Sequence, residues 1–249
     1  GALDGEEQQA VEDGLTQALA ADWLKVAPEL GAFYNALGRH AEAGRLYEAV
    51  AVKEADDDRK LRAFLHAGSA FVRAGELPKA EALLHQAIEI APRDSRPYRQ
   101  LLSQVYAGKE DLDGARMLVT KALRNGADPV PLRLAFAEAA QKLGNREAAR
   151  TALIEALPKQ GGSFEVLAAL GRVYLQEQNF DRAALTLRKA VRLKPDNVAA
   201  VYALAMAEEG RYRFAAAQDA YLRALSLDPK DDRVRERYEA LQRKVLENQ

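Results

Sequence analysis

Residues Leu170 to Pro195 read LGRVYLQEQNFDRAALTLRKAVRLKP, and the layout of this stretch decides the fold. Leu170 and Gly171 are followed by Tyr174, then by Phe180, Ala183, Leu187, Ala190 and Pro195. Thirty-four residues further on stand Leu204, Ala205, Phe214, Ala217, Tyr221, Ala224 and Pro229; thirty-four residues back stand Phe136, Ala137, Ala140, Ala149, Leu153 and Ala156. A fixed period of this length marks a repeat architecture. Extended outward, it predicts repeats starting near Leu24, Leu61, Ser95, Val130, Phe164 and Val198, with a last helix from Asp232. The spacings are 37, 34, 35, 34, 34 and 34 residues. The spare residues are assigned to connections, Asp56-Asp57-Asp58 and the Gly108 to Asp111 turn, because loops tolerate length changes that packed helices do not.

Within each repeat, apolar residues recur at three- and four-residue spacing on either side of a short polar turn, which predicts two amphipathic helices. Gly38, Gly75 and Gly144 fall at the turns, and Pro92, Pro195 and Pro229 follow the second helices, where proline stops helical continuation. Small residues mark the crossing of the two helices: Gly31, Gly68, Gly171 and Ala205 on the first, Ala43, Ala80, Ala115, Ala149, Ala183 and Ala217 on the second. No strand-like alternation competes. The expected fold class is all-α, a right-handed α-solenoid of antiparallel helix–turn–helix repeats spanning residues 1–249 as one domain. A terminal repeat needs a cap with a wet outer face. Residues 232–248, with Val234, Tyr238, Leu241 and Val245 on one stripe, supply it at one end. Residues 5–21, with Val11, Leu15, Ala18 and Leu19, supply it at the other, and Trp23 is expected to fill the joint.

The pattern resembles the tetratricopeptide repeat family, whose 34-residue unit carries Leu-Gly, aromatic, Ala, aromatic, Ala and Pro markers; the likeness runs from about residue 24 to 231. The fourth repeat departs most, with Ala137 at the glycine place, Pro129, Pro131 and Pro158, and Gly161-Gly162 where proline is usual; a local change of packing, with a slight bend, is expected there. The third carries Leu102 or Ser103 at the glycine place. The resemblance implies a protein-interaction scaffold whose first helices line a concave groove for a peptide or partner segment.

Reading that frame onto the chain, the expected groove residues are Arg62, His66, Ser69 and Arg73 in the second repeat and Arg96, Arg99, Gln100, Ser103 and Tyr106 in the third. Glu138, Arg172 and Tyr202 come from the fourth, fifth and sixth. Four arginines from two adjacent repeats suit carboxylates, so an acidic segment or a C-terminal carboxylate is the natural ligand. The later repeats offer smaller, more apolar side chains, suited to a hydrophobic stretch. The lysine and asparagine clamp of chaperone-tail binders is absent, its places holding Pro28, Ala32 and His66. So is the asparagine ladder of the sugar-transferase members.

Rival functions find little support. His40, His66 and His85 share no i, i+4 spacing for a helical metal pair, and no cysteine exists, so no metal, cofactor or catalytic residue is expected. His66 and Ser69 stand one turn apart without an orienting acid or oxyanion site. With 36 basic and 37 acidic side chains the net charge is -1, and the basic cluster is confined to two repeats, which argues against nucleic acid. Charge is nonetheless uneven: residues 1–60 hold 6 basic and 13 acidic side chains, the remainder 30 and 24. No apolar run is long enough to span a membrane. The chain opens Gly1-Ala2-Leu3 without Met, which suggests a piece of a longer protein, for example an appendage of a membrane or cell-envelope component. The compartment stays open between the cytoplasm and a bacterial periplasm or envelope, and self-association through the outer faces is a further expectation.

Overall fold

A computed structural model describes residues 4–158 and 162–247. Gly1 to Leu3 and Gly161 lie outside the described residues. Fourteen α-helices and no strand are found among those described, so the all-α reading holds. The chain divides into two compact units, residues 1–143 and 144–249.

The first unit opens with α1 (Gly5–Ala21) and continues as α2 (Trp23–Ala36) with α3 (His40–Lys53), and α4 (Asp57–Arg73) with α5 (Leu77–Ile90). Then come α6 (Ser95–Gln100), a π-helical segment over Leu101–Tyr106, α7 (Leu112–Arg124) and α8 (Pro129–Lys142). The second unit holds α9 (Arg146–Ala156), α10 (Phe164–Gln176) with α11 (Phe180–Leu193), α12 (Val198–Gly210) with α13 (Phe214–Leu227), and α14 (Asp232–Glu247). Short polar side chains start the first helices. Asp22, Asp56, Asp94, Asp128, Ser163 and Asn197 each accept a backbone N–H of the turn they precede, which relieves donors that a helix start leaves unpaired.

Side-chain-less positions let the helices of a hairpin cross. A Cβ on Gly171 would lie 2.5 Å from Leu187 Cγ, one on Gly68 2.8 Å from Leu84 Cγ, and one on Gly31 2.9 Å from Tyr47 Cζ. Ala183, Ala80 and Ala43 on the second helices are fully buried. At the far end of the second unit, Val234 and Leu241 of α14 are buried against Tyr221, Val201 and Ala217, with Tyr238 and Val245 packed beside them. Tyr221 donates to Glu209 Oε2 at 2.7 Å, and Arg237 Nε of α14 donates to the same oxygen at 3.0 Å. The opening helix is held differently from the expectation. Val11 stays 38% exposed, while Glu12 takes the Tyr34 hydroxyl at 2.8 Å and Arg39 Nη1 at 2.7 Å. Trp23 is half-buried beneath Lys53, whose Nζ stands 3.9 Å from the ring centroid.

Both length changes fall inside helices, not in loops. Asp57 and Asp58 form the first turn of α4, which Asp56 caps through Arg59 N at 2.8 Å. Acidic groups at a helix N-terminus suit its dipole, so the spare residues add a helical turn ahead of Leu61. The second correction concerns the third hairpin. From the second hairpin on, the residues with positive φ at the turns are Gly75, Glu110, Gly144, Gln178 and Tyr212; the first pair is 35 apart and the others 34. The turn at Glu110 has the same length as those at Gln178 and Tyr212. The extra residue therefore lies upstream, where the helix widens into the π-helical segment. One carbonyl there, that of Ser103, accepts from Lys142 Nζ at 2.8 Å.

Two stability measurements check this frame. Gly171→Ala is expected to cost about 1–3 kcal/mol, because Leu187 is fully buried and cannot retreat; an unchanged denaturant midpoint would place the crossing elsewhere. Gln178→Gly is expected to gain up to about 1 kcal/mol, since Gln178 holds φ at 57° where three other hairpins use glycine.

Candidate functional site

Helix α4 carries Arg62, His66, Ser69 and Arg73 at i, i+4, i+7 and i+11, which sets them along one stripe. His66 stacks on Tyr47 of α3, with centroids 5.2 Å apart and planes inclined by 29°. Both lie in a pocket of about 250 Å³ among α2, α3 and α4, together with Arg62, Leu24, Pro28 and Val50. The deep end of this pocket carries Glu54, 7% exposed. Its Oε1 accepts from Ala55 N at 3.0 Å and Asp56 N at 3.1 Å and pairs with Arg59 at 3.3 Å, so this buried carboxylate is satisfied locally. Burial, and then the charges of Arg62 and Arg73, push the His66 imidazole below its ordinary range. The permanent positive charge of the stripe resides on Arg62 and Arg73.

On α6 and the π-helical segment, Arg96, Arg99, Gln100 and Ser103 follow at i, i+3, i+4 and i+7. They are not equivalent. Arg96 turns back on its own N-cap: Nε reaches Asp94 Oδ2 at 2.9 Å and Nη2 the same oxygen at 2.5 Å. Burial alone would raise the Asp94 carboxyl, yet these bonds hold it below its ordinary range. Arg99 is exposed, and Arg62, Arg73 and Arg99 make no ion pair among the described residues. Ser103 donates to Arg99 O at 2.8 Å. The Oε1 atoms of Gln100, at the end of α6, and Gln104, on the π-helical segment, are buried without a partner.

Tyr106, read from the sequence as a groove residue, instead lines a cleft with His85 of α5 and residues of α7. The extra residue in the helix rotates everything after it by about 100°. Glu138 is exposed on α8. In the second unit, Arg172 is exposed on α10, and Tyr202 of α12 sits 5.9 Å from Tyr221, centroid to centroid. Tyr47, Glu54 and Arg59 complete the pocket at His66 and were not singled out in the sequence. Tyr47 could have been, since it occupies the place equivalent to Leu84 and Leu187, facing a glycine. Among the described residues no cluster of three His, Asp or Glu could hold a metal ion, and no helix is long and apolar enough to cross a membrane.

The tetratricopeptide repeat profile matches residues 134–198 and 168–232. Among solved structures the chain is similar to yeast Tom70, at 18% identity and a TM-score of 0.63, covering 96% of this chain and 59% of that one. It is similar to a chain of the APC/C hetero-tetramer Cut9–Hcn1, at 18% identity and 0.54, covering 94% and 46%. It is also similar to YrrB, described as a tetratricopeptide repeat protein with an unusual peptide-binding site, at 20% and 0.53, covering 76% and 96%. The chain thus spans about half the length of the first two. At these identities the likeness is one of fold. No curated protein matches the chain in sequence. Residues 134–232 thus match the tetratricopeptide repeat, and the helical repeat array as a whole shares the fold of tetratricopeptide repeat proteins.

The electrostatic reading of the stripe is open to titration. Arg62→Gln/Arg73→Gln is expected to bring the His66 pKa part of the way back toward about 6.5, burial holding the remainder. Arg96→Gln should leave it where it is. Imidazole chemical shifts followed against pH measure all three proteins.

Proposed function

We propose that the first compact unit holds an acidic segment of a partner protein against α4 and α6. The observation that carries this reading is that Arg62, Arg73 and Arg99 make no ion pair among the described residues, while Arg39, Arg59, Arg96 and Arg116 of the same unit do. Guanidinium groups left without a carboxylate on adjacent helices offer planar forks to one supplied from outside. Ser69, Gln100 and Ser103 flank them as hydrogen-bonding neighbours, and Arg96, engaged by Asp94, is a weaker contributor than its place on the stripe suggests. Glu138, an exposed acid on α8, is an unfavourable neighbour for such a segment. Arg172 and Tyr202 belong to the second unit. The fold supports the general reading, since YrrB, which shares it, is described as having a peptide-binding site. A scaffold of this kind needs no catalytic group, and none is proposed.

Binding of a fluorescent peptide rich in glutamate and ending in a free carboxylate tests the reading by anisotropy. Arg62→Glu/Arg73→Glu/Arg99→Glu is expected to weaken it by about tenfold or more at 0.15 M salt, and higher salt should weaken the wild type. Equal affinity for both proteins would move the ligand elsewhere. A second arm uses His66. Its pKa is depressed in the free protein, and bound carboxylates favour the imidazolium, so binding takes up a proton. Affinity should therefore rise as pH falls from 8 toward 6, and a His66→Gln variant should lose that slope.

A further inference from the structure

We propose that the cleft between α5 and α7 binds a small apolar anion, an aliphatic or aromatic body carrying one carboxylate- or sulfonate-type group. This site lies apart from the arginine stripe and does not depend on the function proposed for it. The cleft measures about 580 Å³, within the range of roughly 300–1,000 Å³ usual for small-ligand sites. Its apolar walls are Tyr106, Met117, Leu118 and Gly114, with His85, Thr120, Lys121, Arg124 and Asn125 set among them. That combination, an open cleft with apolar walls and charged groups at its rim, suits a guest with an apolar body and one charged end.

The apolar half follows from the unusual local fold. The π-helical segment delivers Tyr106 to this cleft, and Gly114 makes room for it, since a Cβ there would lie 2.6 Å from Tyr106 Cε1. Met117 is left 74% exposed at the opening. A flexible thioether in that position adapts to an apolar guest at little cost.

The charged half follows from the rim. Lys121 and Arg124 are exposed and make no ion pair among the described residues. Burial and the charge of Lys121 push His85 below its ordinary range, which disfavours its charged form at the cleft. Against these stand Glu81, which Lys109 holds in an ion pair, and Glu89 one turn beyond His85. Asp111, near Tyr106, is engaged as the cap of α7 by Gly114 N at 2.8 Å, so Lys121 and Arg124 remain the unpaired cations at the rim and favour an anionic group on the guest.

The chain contains two methionines, Met117 in the cleft and Met206 in the second unit, so methyl-labelled methionine gives one reporter and one internal control. Titration with octanoate should move the Met117 methyl resonance saturably and leave Met206 in place. Octanol, with the same body and no charge, should bind about tenfold more weakly or worse. Lys121→Glu/Arg124→Glu should cost octanoate a similar factor, and Arg62→Glu/Arg73→Glu/Arg99→Glu should cost nothing. If the double reversal disturbs folding, Lys121→Gln/Arg124→Gln should weaken octanoate in the same direction. A stationary Met117, equal response to octanol and octanoate, or parallel movement of Met206 would each overturn the proposal.

Discussion

A glycine pressed against a buried ring or leucine is the contact on which the α2–α3, α4–α5 and α10–α11 hairpins depend. Gly31 meets Tyr47, Gly68 meets Leu84 and Gly171 meets Leu187, each with less room than one methyl group needs. Packing that close fixes how far each first helix is rolled about its axis, because interiors tolerate little change of volume. Once the roll is fixed, so is the stripe that the helix leaves uncovered. Arg62, His66, Ser69 and Arg73 share a line on α4 because Gly68 and its buried neighbours face the other way. The functional surface is thus what the packing surface leaves over.

The two departures from the 34-residue period both act on that leftover stripe. Three spare residues lengthen α4 by a turn, bringing Arg59 within reach of Glu54 and closing the deep end of the pocket at His66. One spare residue widens the helix after Gln100, so residues before and after it answer to different frames. Arg96 and Arg99 keep the outward place that counting from Asp94 assigns, while Tyr106 answers to the turn at Glu110 and swings to the α5–α7 side. A helix can absorb an insertion when its freed carbonyls find donors, and Lys142 supplies one to Ser103 O.

Period, fold class, helix order and the small-residue crossings were legible in the sequence, because each recurs and a recurring constraint leaves a recurring residue. The site was legible only in part. Spacing put Arg62, His66 and Arg73 on one face, but it could not tell that Asp94, a helix cap by position, would also neutralise Arg96. Nor could counting distinguish a longer loop from a wider helix, since both add one residue. Glu208 shows the same limit. It stands where the fifth hairpin has Tyr174, only 2% exposed, and Arg188 and Arg211 satisfy its two oxygens. A carboxylate in an aromatic place reads as a lost packing residue until its two partners are seen.

What separates a solvated basic face from a recognition surface is whether its charges are already spent. An exposed arginine with a neighbouring carboxylate has little further electrostatic work to do, and the pair contributes at most about 1 kcal/mol to stability. Arginines kept apart from carboxylates repel one another mildly within a screening length of about 8–10 Å, a small cost to the isolated protein. That cost is recovered only when an opposite charge arrives from outside. In a chain of net charge -1, with 37 acidic side chains to draw on, leaving Arg62, Arg73 and Arg99 unmatched on adjacent helices is a choice of placement rather than a shortage of partners. The same argument separates Lys121 and Arg124 from Lys109, which Glu81 has already claimed.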